Sequence, residues 1–189
     1  DIGRRDSSTW WFWQPKLGGY SIIDYDGGWG IDAEAWVDRL KEKIGKRELG
    51  KIWLPHDARA KTFAAKNSAL EIFIKGFGAG KVAITPNSKK TDRINAARTL
   101  IKKVEFNEIA CEKGLNGLRA WSYEYNEQLK TFSSEPKHDW ASHDGDGFSY
   151  GCLIMKQTQA ILKPPPIKTI HEITLNEIWE DNKKGRARI

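Results

Sequence analysis

The sequence predicts a mixed α/β fold in which a mixed sheet with an antiparallel hairpin is flanked by helices. The first observation is a pair of aromatic and β-branched runs, residues 8–14 (STWWFWQ) and 20–26 (YSIIDYD), on either side of a turn containing Pro15 and two glycines. Such runs around a turn signal are typical of a hairpin. The second observation is that helical segments alternate with single strands in the rest of the chain, which is the pattern of an α/β sheet.

Each later element follows from its own local signal. Apolar residues at helical spacing predict an amphipathic helix over 32–44. Ser68 and Glu71 have the spacing of a capping box, which predicts the start of a second helix. Further helices are predicted over 92–101, about 111–129 and about 142–162, and strands over 51–55, 81–85 and 104–106.

Composition indicates a single globular domain with a polyanionic partner. A chain of 189 residues fits one domain, and its formal net charge of +6 favours a partner such as nucleic acid. No apolar run has the length of a membrane span and no signal peptide opens the chain, so we expect a cytoplasmic protein without a membrane partner. The isolated Cys111 and Cys152 are expected in the core, and the three tryptophans at 10, 11 and 13 in sheet packing.

A run of three prolines at 164–166 predicts the end of the last helix. We therefore expect one domain over residues 1–163. Residues 164–189 are expected to form a C-terminal tail that is peripheral or partly mobile.

Three aspartates stand where ligands of an α/β sheet gather, near the carboxyl ends of strands. Asp57 follows the strand 51–55 in a Pro-His-Asp turn, Asp146 lies three residues after His143, and Asp1 precedes the hairpin. Clustered carboxylates repel each other unless a cation neutralises them, and Mg²⁺ or Mn²⁺ is the natural candidate. The alternatives are a turn-forming Asp57, an Asp146 that complements a helix dipole, and an Asp1 that is only a terminus.

Two further acids and a set of basic residues surround these turns. Asp139 and Asp144 are alternate ligands whose simpler roles are helix capping and loop solvation. The basic residues either contact DNA phosphates or are solvated loop charges: Arg4, Arg5, Arg59, Lys61, Lys89 and Lys90. The segment GFGAGK at 76–81 lacks the Lys-Ser/Thr ending of a Walker motif and precedes a strand, so we predict a turn and no ATP hydrolysis.

The stretch 106–151, which ends in HDWASHDGDGFSYG, resembles the C-terminal signature of the nuclease domain of large terminase subunits from tailed bacteriophages. Three earlier segments fall in that family's order: DIGRRDSST, IWLPHDARAK and VAITPNSKKTDRINAARTLI. The resemblance covers about residues 1–162 and implies an RNase H-like fold. In that family Gly145 and Gly147 are usually alanines and Ser149 is usually arginine, so this chain departs from the pattern at three positions.

The resemblance implies a metal-dependent endonuclease that cuts concatemeric double-stranded viral DNA during genome packaging. Asp1, Asp57 and Asp146 match the acidic triad that binds two divalent ions, Mg²⁺ or Mn²⁺, and His143 matches a histidine beside the last acid. The implied partners in the full protein are an ATPase motor domain, the small terminase subunit and the portal, in the cytoplasm of the host and transiently at the procapsid.

Two alternatives remain open from the sequence. Another RNase H-like nuclease, such as a junction resolvase or a transposase-like enzyme, would share the acids but act on branched or end-specific DNA. A non-catalytic module that docks the packaging motor on DNA or the portal would use the same acids only for structure.

Overall fold

The structure is a computed structural model that describes residues 7–61 and 66–161, and it confirms the mixed α/β class. The strands in the described residues are β1 Ser8–Lys16, β2 Gly19–Gly28, β3 Ile52–Leu54, β4 Val82–Ile84, β5 Val104–Phe106, β6 Tyr123–Asn126 and β7 Thr131–Pro136. The α-helices in the same residues are α1 Ala33–Ile44, α2 Ala69–Phe77, α3 Lys90–Leu100, α4 Glu112–Ala120 and α5 Ser142–Ile161.

The strands pair as the sequence predicts, with an antiparallel hairpin next to parallel strands. β1 and β2 form the hairpin, and β5 adds to β2 in parallel, which makes a mixed three-stranded sheet. β3 and β4 pair in parallel, so their carboxyl ends lie at one edge. This edge is where the chain places Asp57 after β3 and the segment leading to α3 after β4.

Alternation along β1 divides the apolar residues between two cores. Trp11 and Trp13 pack on Phe148 of α5, with ring centroids 5.6 and 5.5 Å apart. Trp10, which points to the opposite face, stacks on Phe73 of α2 at 5.3 Å. The prediction that these tryptophans serve sheet packing is therefore confirmed.

A β-bulge lets β2 place side chains from most of its length in the core that contains Phe148. The register of β1 and β2 shifts between Phe12 and Trp13, because Phe12 pairs with Asp24 and Trp13 with Ile22. The extra residue changes which side chains face inward, so that Tyr25 joins Ile22 in one buried cluster despite an odd sequence separation. Cys111 and Cys152 lie in the same cluster as buried free thiols, which confirms their predicted role.

Local signals predicted the first helices correctly. α1 begins after Asp32, whose side chain accepts a hydrogen bond from the backbone N–H of Ala35 at 2.8 Å. α2 begins at the predicted capping box: the Ser68 hydroxyl accepts from the N–H of Glu71, and the Glu71 carboxylate accepts from the N–H of Ser68. Both caps satisfy N–H groups that a helix start leaves without partners.

The predicted helix over about 111–129 is wrong in its second half. α4 ends at Ala120, and the following residues form the antiparallel hairpin of β6 and β7. Tyr125 and Phe132 face each other across this hairpin with ring centroids 5.0 Å apart, and Lys130 in the turn has a φ of 48°. Cross-strand aromatic pairing therefore outweighs helix formation in this segment.

Several predictions concern residues outside the described part of the chain. Asp1, Arg4 and Arg5 lie there, and so do the domain boundary at 163/164 and the tail 164–189. These remain predictions. Within 7–61 and 66–161, none of the helices combines the length and the apolar character that crossing a membrane requires.

Helix α5 approaches the hairpin so closely that two of its positions have no room for a side chain. A Cβ at Gly147 would lie 2.5 Å from Thr9 Oγ1, and a Cβ at Gly151 would lie 2.5 Å from Trp13 Nε1. Contacts this short do not occur for a real Cβ. Glycine at these positions therefore sets the distance between α5 and β1.

We predict that Gly151→Ala destabilises the protein although alanine is the better helix former. Overpacking typically costs about 1–3 kcal/mol, which exceeds the roughly 1 kcal/mol that alanine gains over glycine in a helix. The free energy of unfolding, measured by urea denaturation, is expected to fall. Gln157→Ala, at an exposed position of the same helix, is the control and should leave it unchanged or slightly higher. A more stable Gly151→Ala protein would contradict the close approach.

Candidate active site

Asp57 lies where the sequence places it, at the carboxyl edge of β3 and β4. β3 ends at Leu54, and residues His56–Arg59 form a 3₁₀ turn after Pro55. The backbone N–H of Ala60 donates to the carbonyl of Asp57 at 2.8 Å, and the buried Ala58 anchors the turn beneath it. Asp57 itself is exposed, so its carboxylate faces solvent at this edge.

Asp146 lies in the first half of α5 and is held by two cations from α3. Lys90 Nζ is 3.3 Å from Asp146 Oδ2, and Arg93 Nη2 is 3.6 Å from Asp146 Oδ1. The Asp146 side chain is only 19% exposed. Its Oδ1 is buried and accepts no hydrogen bond from any described residue.

Tyr150 shows that Asp57 and Asp146 belong to one neighbourhood. Burial raises the pKa of the Tyr150 hydroxyl, Arg93 lowers it, and the charges of both Asp57 and Asp146 raise it further. Both carboxylates therefore lie within electrostatic range of the same ring. The Arg93 guanidinium stacks on that ring with its Cζ 3.9 Å from the centroid.

The two alternate acids have structural roles, one of which differs from its predicted role. Asp139 accepts a hydrogen bond from the N–H of Ala141 at 3.0 Å, two residues later, and so forms an Asx turn before α5. Asp144 is neither a cap nor a solvated loop residue, because it is buried and accepts a hydrogen bond from the Tyr25 hydroxyl. Burial raises the pKa of Asp144, while this hydrogen bond and the charges of Lys113 and His143 oppose that rise.

His143 lies on the hairpin side of α5. Its backbone carbonyl accepts a hydrogen bond from Thr9 Oγ1 at 2.9 Å, and its ring meets His138 edge-on with centroids 5.8 Å apart. A role for His143 beside Asp146 remains a prediction.

The predicted basic residues differ in what they contact. Lys61 forms a salt bridge with Glu71 at 2.9 Å, so it serves the start of α2. Arg59 and Lys89 are exposed, and Lys89 precedes the first residue of α3. Lys90 points to Asp146 and is 20% exposed, so of these four it has the most direct contact with the predicted acids.

The three departures from the family pattern have structural explanations. Gly145 faces the indole of Trp121 and Gly147 faces Thr9, and neither position leaves room for a Cβ. The two glycines therefore allow close packing, although glycine is a poorer helix former than alanine. Ser149 is fully buried, and its hydroxyl donates to the Asp146 carbonyl at 2.8 Å. A long arginine side chain has no space at this buried position.

The described residues fit part of a divalent metal site. Asp57 and Asp146 offer carboxylate oxygens, which are the ligands that Mg²⁺ and Mn²⁺ prefer, and one of these oxygens is buried without a hydrogen bond. In residues 7–61 and 66–161, no three His, Cys, Asp or Glu side chains form a group that would hold a metal ion. The third predicted ligand, Asp1, lies outside this part, so the triad stays a prediction.

Sequence reasoning missed Arg93, although a signal was present. Arg93 shares the buried face of α3 with Ala96, Ala97 and Leu100, at the spacing of a helix stripe. A charged residue on an apolar stripe needs a partner inside the protein. That spacing would have indicated a buried ion pair with an acid.

We predict that Asp144→Asn makes the protein more stable relative to wild type as pH rises from acid to neutral. The folded state binds the Asp144 proton more tightly than the unfolded chain, whose pKa is near 3.8. The contribution of this carboxyl is thus most favourable at low pH and is lost as pH rises through its raised pKa. Asparagine does not titrate, so it removes this loss of stability, and its side-chain oxygen still accepts a hydrogen bond from the Tyr25 hydroxyl. Urea denaturation across this pH range is the measurement.

Asp144→Ala is the comparison, because it leaves the Tyr25 hydroxyl without its acceptor and should cost about 1–3 kcal/mol. Equal pH dependence of unfolding in wild type and Asp144→Asn would contradict the assignment of a buried, proton-favouring carboxyl.

No protein-family model matches this chain, and no curated protein matches it. Among solved structures it is similar to the large terminase from the thermophilic bacteriophage D6E, with a TM-score of 0.63 and 14% sequence identity. The match covers 82% of this chain and 38% of that chain, so this chain spans well under half the length of that terminase. At this identity the likeness shows the fold, and the chain therefore has a terminase-like mixed α/β fold.

Proposed function

We propose that this chain is the RNase H-like nuclease domain of a phage large terminase subunit, and that it cuts double-stranded DNA with the help of two divalent ions, Mg²⁺ or Mn²⁺. The observation that carries the proposal is that two carboxylates lie within electrostatic range of Tyr150: Asp57, which follows a parallel strand at its carboxyl end, and Asp146 of α5. The terminase-like fold and the net charge of +6 support it.

The proposed reaction is hydrolysis of a phosphodiester. Bound divalent ions would activate a water molecule and stabilise the leaving oxygen. Asp57 and Asp146, with Asp1, would supply the oxygen ligands that hold them. Asp57 is exposed and therefore accessible to a bound duplex, whereas Asp146 is fixed by α5 and by its two cations. The expected products carry a 5′-phosphate and a 3′-hydroxyl.

In the full protein, the proposal places this domain beside an ATPase motor, the small terminase subunit and the portal during DNA packaging. Its place of action would be the host cytoplasm, at the procapsid.

The test is cleavage of supercoiled plasmid by the purified protein in Mn²⁺, Mg²⁺ or chelator. We expect nicked and linear DNA only with metal, with ends that DNA ligase can reseal. Asp57→Asn and Asp146→Asn should each lower the rate by more than about 100-fold, because even residues that merely support a metal ligand cost roughly 10–100-fold when removed.

Asp38→Asn is the matched control, since Asp38 is an exposed aspartate of α1 that is not among the predicted ligands. It should cleave like wild type. Cleavage that survives in both site variants, or a folded wild type that cuts in none of the metals, would contradict the proposal.

One observation favours the alternative of a docking module. Asp146 is already neutralised by Lys90 and Arg93, as an acid with a purely structural role would be. On that alternative the protein binds DNA in chelator, does not cut with metal, and loses stability when Asp146 is replaced. The plasmid assay, together with a binding assay, separates the two functions.

A further inference from the structure

Arg93 is a buried cation with fewer hydrogen bonds than its guanidinium can make. Its side chain is only 10% exposed, and its Nε has no hydrogen-bond partner among the described residues. The ion pair with Asp146 is 3.6 Å long, which is beyond hydrogen-bond distance. A guanidinium offers five N–H donors, and burying donors without acceptors is unfavourable. The position of Arg93 therefore indicates an acceptor that residues 7–61 and 66–161 do not provide.

The same segment of chain carries other polar groups without partners. Thr85 directly follows β4 and is 3% exposed, yet its hydroxyl has no hydrogen-bond partner in the described part of the chain. The buried hydroxyl oxygen of Ser88, just before α3, also has none there. Lys90 approaches Asp146 from the first turn of α3. Polar side chains without a hydrogen-bond partner among the described residues thus lie along the connection from β4 to α3.

We propose that Arg93 and Lys90 form a binding site for a phosphate group of the DNA backbone, and that Asp146 competes with that phosphate for the two cations. This inference rests on the proposed function, since it names how the nuclease site holds its substrate. A phosphate supplies the missing acceptors and matches the fork of a guanidinium. Tyr150 fixes the plane of the guanidinium by stacking, and the start of α3 adds the favourable end of its dipole.

A consequence of this competition distinguishes the phosphate site from a simple structural ion pair. Replacing Asp146 by asparagine removes a negative charge within 4 Å of both cations and frees them. DNA binding in chelator should therefore become tighter in Asp146→Asn, by about fivefold for the loss of one unit charge at that distance in water. A merely structural pair predicts unchanged or weaker binding.

The experiment measures binding of a short labelled DNA duplex by fluorescence anisotropy, in chelator and over a series of KCl concentrations. Each phosphate contact that is lost should reduce the slope of log affinity against log salt by about 0.9. We expect this reduction in Arg93→Gln and in Lys90→Gln. Lys75→Gln, which removes an exposed charge on α2, should leave the slope unchanged.

The double variant Asp146→Asn/Arg93→Gln completes the test. It should lose the gain in affinity seen in Asp146→Asn. A double variant that binds as tightly as Asp146→Asn, or an Arg93→Gln protein with the wild-type slope, would overturn the proposal. Thermal unfolding monitors folding of every variant. If Arg93→Gln does not fold, Lys90→Gln and Arg93→Lys decide the test. Lys90→Gln is expected to have a reduced salt slope, whereas Arg93→Lys is expected to have the wild-type slope.

The outcomes separate this inference from the proposed function. If the protein cuts plasmid but the salt slope is unchanged in Arg93→Gln and Lys90→Gln, the nuclease proposal is supported and the phosphate site is contradicted. If the protein never cuts but the salt slope falls in both variants, the phosphate site is supported and the nuclease proposal is contradicted.

Discussion

The close approach of α5 to the hairpin is the constraint on which the rest of the structure depends. Glycines at 147 and 151 let the helix backbone lie directly on Thr9 and Trp13. Two hydrogen bonds fix the first turn at this depth, from Thr9 to the His143 carbonyl and from the Trp11 indole N–H to the Asp144 carbonyl. A side chain at either glycine would move the helix outward, and with it every acid that α5 carries.

This placement gives two aspartates on one helix opposite environments. Asp144 points inward to the Tyr25 hydroxyl, where burial favours its protonated form. Asp146, two residues later, points to α3, where Lys90 Nζ and Arg93 Nη2 lie 3.3 and 3.6 Å from its carboxylate oxygens. Their environments, rather than the acids themselves, thus separate a structural carboxyl from a candidate ligand. On the proposed function, Asp57 and Asp146 would together hold the divalent ions, next to the proposed phosphate site of Lys90 and Arg93.

Local patterns made much of the fold predictable from the sequence. Alternation in the hairpin, the stripe of α1 and the capping box of α2 each depend on residues close together in the chain, and all three are confirmed. The second hairpin was missed for two reasons. Its stabilising pair, Tyr125 and Phe132, forms only across the two strands. In addition, residues 121–129 contain no glycine or proline that would have signalled the end of a helix. The shared metal site of Asp57 and Asp146 remains a prediction. The burial of Asp144 depends on Tyr25, 119 residues away, and no local pattern shows this contact.

The measurement that tests the central claim most directly is Mn²⁺ binding by calorimetry to wild type, Asp57→Asn, Asp146→Asn and the double variant. If both carboxylates hold the same ions, each single substitution weakens binding by at least about tenfold. The loss in the double variant then differs from the sum of the single losses, because residues of one site are coupled. Binding that neither substitution changes, or two small losses that simply add, would contradict a shared metal site at this edge.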